Sequence, residues 1–124
     1  MEKIASQSFP KKGEIWWVKL PNQPVDPHQP RTAIIVSRDS RNAYAEDYMV
    51  VPTFSKITAN INTHIIIPAG QGGLPHESIA KCDQLTTLHK SLLVKGPLGS
   101  RINEALMWRI HHAVRRAMGE TLGQ

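Results

Sequence analysis

The sequence predicts a mainly β domain closed by one C-terminal helix, and three observations carry that prediction. Short runs rich in β-branched and aromatic residues recur between turn signals, five or six of them in under a hundred residues, the pattern of a small barrel or strongly curved sheet. After Ser100 the apolar spacing changes to a helical period. At 124 residues the chain is one domain's worth, able to bury roughly two-thirds of its unfolded surface without metal or disulfide staples.

Residues 1–12 lack periodicity and read as a flexible N-terminal arm, residues 13–119 as the single domain, and residues 120–124 as a C-terminal tail. The first strand runs from Glu14 to Leu20 and is stopped by Pro21. Alternation puts Ile15 and Trp17 on one of its faces and Glu14, Trp16 and Val18 on the other without saying which face is buried; Trp17 is expected inside with Ile15 and Trp16 nearer an interface, with burial of both faces the competing reading. Pro21, Pro24, Pro27 and Pro30 recur at the three-residue period of a polyproline II helix, so the following loop is expected to be stiff and extended, a rigid connector. Thr32 to Ser37, Tyr48 to Pro52 and His64 to Ile67 read as buried strands, with further strand candidates near residues 78–83 and 91–96. Ser100 is a plausible N-cap for a helix in which Ile102, Leu106, Ile110, Val114 and Ala117 form the apolar stripe, ending at Gly119. Its other face carries Arg109, His112, Arg115 and Arg116.

A formal net charge of +5 and a pI of 9.7 favour a polyanionic partner, either nucleic acid or an acidic protein segment. No run of eighteen apolar residues and no signal-like start is present, so a cytoplasmic location is expected. The lone Cys82 cannot pair internally and reads as a small buried hydrophobe. His64, His76, His89, His111 and His112 share no metal-ligand spacing with acids or with the cysteine.

The ordered set Gly13-Glu14-Ile15-Trp16-Trp17-Val18-Lys19-Leu20, Arg31 before an apolar strand, Val50-Val51-Pro52, and Cys82-Asp83-Gln84 followed by Thr87 and Leu93 resembles the MazF/PemK family of toxins from toxin–antitoxin pairs. The resemblance implies a small SH3-like barrel that forms a homodimer and cleaves single-stranded RNA without a cofactor or metal, until an acidic antitoxin protein covers its groove. Such cleavage uses the substrate's own 2′-hydroxyl as nucleophile and leaves a 2′,3′-cyclic phosphate and a 5′-hydroxyl. The protein must then hold the phosphate, stabilise its growing charge and move protons.

Arg31 is the first catalytic candidate, because a guanidinium fork binds two phosphate oxygens at once and the family's arginine is assigned this role. His28, three residues earlier in the proline loop, is a candidate for proton transfer. After Pro52 the sequence departs from the family pattern V-P-x-T-S: Phe54 holds the threonine's place, so either Ser55, the first choice, or Thr53 supplies the hydroxyl from the opposite face by way of a bulge or an early strand end, or the chemistry is weakened. Phe54 is a candidate for base stacking or for the core, and Trp16 for a stacking platform or dimer seam. Asp83 and Gln84 either line the groove or serve as structural hydrogen-bonding residues. The competing reading is a non-catalytic relative on the same barrel that binds a protein target or nucleic acid, and Phe54 is the feature that favours it.

Overall fold

In the computed structural model, which describes residues 9–21, 29–55 and 61–120, seven strands form one curled antiparallel sheet. They are β1 (Ile15–Lys19), β2 (Pro30–Ile35), β3 (Asp47–Phe54), β4 (His64–Ile67), β5 (Ser78–Lys81), β6 (Thr86–His89) and β7 (Leu93–Lys95). A short α1 (Asp39–Asn42) joins β2 to β3, and α2 (Glu104–Ala117) ends the domain. The strand order is β4-β5-β3-β2-β1-β7, with β6 also on β3. The eight-residue β3 makes the curl: its first half, Asp47 to Val50, pairs with β6, and its end, Thr53 and Phe54, pairs with β5.

Curling gives the central strands two buried faces. On one, Ile15 of β1, Ile34 of β2 and Val51 of β3 lie in register and share a core with Leu106, Ile110 and Ala113 of α2. On the other, Val18, Ala33, Ile35 and Val50 meet Leu88 of β6 inside the curl, with Trp16 and Leu93 of β7 packed against them. Near-continuous apolar runs such as TAIIV and MVV are what strands covered on both sides require.

Several expected boundaries shift. The helix is capped by Asn103, whose side chain accepts from the Leu106 amide at 2.8 Å, so Ser100 lies before the cap. Its stripe turns onto Ala113, while Ala117 is exposed. The run at 78–83 ends as a strand at Lys81 and continues as a 3₁₀ turn, Cys82–Gln84. Thr86–His89 forms an additional strand that its mixed composition did not announce. The end of the arm is tied down: the Lys12 amide donates to Asp39 Oδ1 at 2.7 Å, and the Pro10 carbonyl accepts from buried Asn42 at 3.0 Å. The centre of the proline loop, residues 22–28, lies outside the described residues.

Candidate functional site

The face that is buried at Ile15 and Ile34 opens two residues away from them, at Trp17 and Thr32. There Trp17 pairs with Thr32, and Thr32 bonds Thr53, so that β1, β2 and β3 supply one side of a cleft of about 190 Å³. Leu74, Pro75, His76 and Ser78, from the β4–β5 loop and the start of β5, form the opposite wall; Arg31 and Ser55 complete the lining. A second depression of about 270 Å³ adjoins it and shares Trp17 and Pro30, with Val94 and Lys95 of β7 beyond. Trp17 thus stands between two adjacent hollows.

The inward expectation for the indoles is reversed. Trp17 is 37% exposed and Ile15, on the same face, is fully buried, because the core beneath α2 stops at the Ile15 row. Trp16 packs against the inner core and lies away from the cleft; its Nε1 donates to Glu14 Oε1 at 3.0 Å. Its ring lies so close to Gly96 that a Cβ there would sit 2.6 Å from the indole, which only a bare backbone permits. The register with β7 shifts between Trp17 and Val18, a local irregularity that accompanies the change of surroundings along β1.

The hydroxyls of the cleft are not equivalent. Thr53 is 2% exposed and its Oγ1 donates to the Thr32 carbonyl at 3.2 Å, which obliges Thr32 to be the donor in the bond between the two hydroxyls. Both threonine protons are therefore engaged within the floor, and β3 runs to Phe54 without the bulge that would turn Thr53 outward. Ser55, just past the strand end, is exposed and free of that constraint by position.

Phe54 is neither a core ring nor part of the cleft lining. It is half-buried on the opposite face from Thr53, with the Arg31 guanidinium carbon 4.8 Å and the Lys81 ammonium 4.5 Å from its ring centre. The phenyl ring standing in the threonine's place therefore holds two cations at the rim. Lys81 carried no signal in the sequence, since only the β3–β5 pairing brings it beside Phe54.

Asp83 and Gln84 belong to the 3₁₀ turn after β5 and do not line the cleft. Asp83 Oδ1 lies 3.1 Å from His64 Nε2, while Gln84 is exposed. Cys82 is buried as anticipated, and burial, reinforced by the neighbouring Asp83 charge, pushes its thiol up to about 12, which keeps it protonated and unreactive. His28 lies outside the described residues. His76, which spacing left unassigned, is in the cleft wall. No described helix is long and apolar enough to cross a membrane.

A curled β domain in a basic chain, with a cleft that joins an arginine, hydroxyls and an exposed indole, carries groups able to bind an extended polyanion. Residues 11–118 match the PemK-like, MazF-like toxins of type II toxin–antitoxin systems, and the chain belongs to that family. Among solved structures, it is similar to an endoribonuclease in complex with its cognate antitoxin from a mycobacterial species, at 23% identity and a TM-score of 0.73, over 91% of this chain and 98% of the other. It also resembles the Mycobacterium tuberculosis toxin MazF-mt6 (17%, TM-score 0.72, over 88% and 99%) and MazF from Deinococcus radiodurans (15%, TM-score 0.74, over 92% and 100%). No curated protein sequence matches at a significant level.

Proposed function

We propose that this chain is a metal-independent endoribonuclease toxin that cuts single-stranded RNA to 2′,3′-cyclic phosphate and 5′-hydroxyl ends. It acts in the cytoplasm as a homodimer, and an acidic antitoxin segment lying in the basic groove neutralises it. The observation that carries the reading is the placement of Arg31 at the rim of an open cleft beside Ser55 and Trp17, in a chain of this toxin family.

Arg31 binds two non-bridging oxygens of the scissile phosphate and stabilises the charge that grows there. Ser55 donates its hydroxyl to the same phosphate, the part that Thr53 cannot take while its proton is engaged with Thr32. Lys81 adds a second positive charge beside Phe54. Trp17 offers its exposed face to a base, and the two hollows on either side of it suit a strand that passes across the indole with Lys95 along its path. The structure of a relative with its cognate antitoxin supports the partner assignment.

A non-catalytic binding module is the second reading, favoured by one observation: a phenyl ring occupies the threonine's place next to Arg31. Digestion of a mixed-sequence single-stranded RNA in EDTA, with the new termini mapped, separates the two. Discrete cuts bearing 5′-hydroxyl ends are expected, and a folded, antitoxin-free protein that shifts the RNA without making ends establishes the binding module instead.

A further inference from the structure

An arginine and a serine hold a phosphate, yet neither accepts the 2′-hydroxyl proton near neutral pH: a guanidinium has no acceptor and a serine hydroxyl is a very weak base. Among the described residues lining the cleft, His76 alone carries an imidazole, the side-chain type that commonly serves as a proton acceptor in catalysis. We infer that His76 is the general base of the cleavage, an inference that rests on the endoribonuclease reading. Its imidazole takes the proton from the ribose 2′-hydroxyl as the 2′-oxygen bonds to phosphorus. The bond from phosphorus to the 5′-oxygen breaks, and that oxygen leaves with the electron pair and takes a proton from water. The imidazolium then gives its proton to the hydroxide so formed, so no further reactant is consumed.

The chain is built to place this residue. Gly72 enters the β4–β5 loop at φ 64°, where a Cβ would lie 2.5 Å from Ile15 Cδ1, so the loop is seated directly on the core. Two residues before His76, Leu74 is buried in that core, and its carbonyl accepts from the Gly70 amide at 2.7 Å. Two residues after it, the buried Ser78 begins β5 and donates its hydroxyl to the His76 carbonyl at 3.1 Å. The backbone is anchored on both sides while the side chain is exposed, free to meet a substrate and to exchange its proton with water. Arg31 of β2 is the one formally charged residue among the described lining residues; Trp17 of β1, Thr32 of β2, Thr53 of β3, Ser55 just past β3 and Ser78 of β5 are uncharged, and Glu77 follows His76 in the chain.

The test uses the full chain and a fluorescent single-stranded RNA containing a mapped cut site, in EDTA across pH 5 to 9. An uncut RNA with wild-type protein overturns the nuclease reading itself. With wild type active, His76→Ala and His76→Gln are expected to lower kcat by about a hundredfold or more, with KM within about twofold and melting temperature unchanged. The acidic limb of the wild-type pH profile should disappear in both variants, and added imidazole should restore part of the activity of His76→Ala. Unchanged kcat in both variants, a loss confined to KM, or loss of the alkaline limb in place of the acidic one would overturn the assignment of His76 as base.

Discussion

Two rows of the same sheet face differ by two residues along each strand. Ile15, Ile34 and Val51 form a dry row that shares a core with α2; Trp17, Thr32 and Thr53 form the next row and line an open cleft. Strand alternation assigns both rows to one face and cannot distinguish them. The difference is made by how the β4–β5 loop lies opposite: Gly72 is pressed against Ile15, in the core that Leu74 and α2 share, whereas beside Trp17 the same loop stands across a gap. The residue types follow: aliphatic side chains where water is excluded, and an indole with hydroxyls where it is not. A functional cleft is therefore made by ending the cover early, while the strands beneath continue unchanged.

Perturbing the cleft, at the exposed Trp17 of the open row or at Arg31 beside it, should cost activity and leave stability nearly intact. The largest effect is expected from Arg31→Ala, which should reduce RNA cleavage by about a hundred- to a thousandfold, the usual scale for removing one charge-stabilising group. Single-turnover cleavage beside a thermal melt checks this, and a variant that melts normally but cuts at the wild-type rate would remove Arg31 from the mechanism. Perturbing the dry row should do the reverse. Ile34→Ala, at a fully buried position, should cost about 2–5 kcal/mol of stability by urea unfolding. Trp17→Ala then sharpens the contrast from the open side: a weakening of single-stranded RNA binding by about 1–3 kcal/mol, read by fluorescence anisotropy, with a smaller change in unfolding midpoint. The opposite ranking of Ile34 and Trp17 would dissolve the distinction between the rows.

The strands, the closing helix and the family were legible because they rest on local chemistry: β-branched runs, helical spacing after Ser100, and short ordered motifs such as GEIWWVKL. The place of Arg31 at the head of an apolar strand was legible for the same reason. What depends on contact across the sheet was not. Whether Trp16 or Trp17 is buried is decided by where the core beneath α2 ends. That Thr53 is disabled as a donor depends on Thr32, which lies 21 residues away and beside it in the sheet. His76 enters the cleft because Gly72 and Leu74 seat its loop on the core, and no spacing to another titratable residue announces it.

Phe54 tests whether the rim is organised through its ring. Phe54→Leu keeps an apolar side chain and removes the π face that Arg31 and Lys81 share. With each exposed cation–π contact contributing about 0.5–1 kcal/mol, cleavage should fall about three- to tenfold with the melting temperature little changed. Phe54→Tyr, which keeps the face, should stay close to wild type. If leucine and tyrosine behave alike, the ring is only a spacer and the cations are held by other means.

The smallest expected effect lies at a third position on the sheet, an apolar hollow of about 290 Å³ at the edge of α2 that Val36, Met49, Leu85 and Val114 share with His111. Burial, then the nearby charges of Lys12 and His112, lowers the His111 pKa below its ordinary value, so the folded protein disfavours the imidazolium that the unfolded chain accepts freely. Between the two values the unfolded state binds more protons, and stability therefore rises with pH. The contribution is complete above the unfolded histidine value, about 6.5, and is lost as pH falls below it. Urea unfolding of wild type and His111→Gln at pH 7.5 and 5.5 should show a smaller acid loss in the variant, by a few tenths of a kcal/mol at this partly exposed site, where solvent screens the charges. Equal acid losses in the two proteins would place the pH sensitivity elsewhere and show that the edge of α2, unlike the dry row beneath it, is wet enough to hold an imidazolium at no cost.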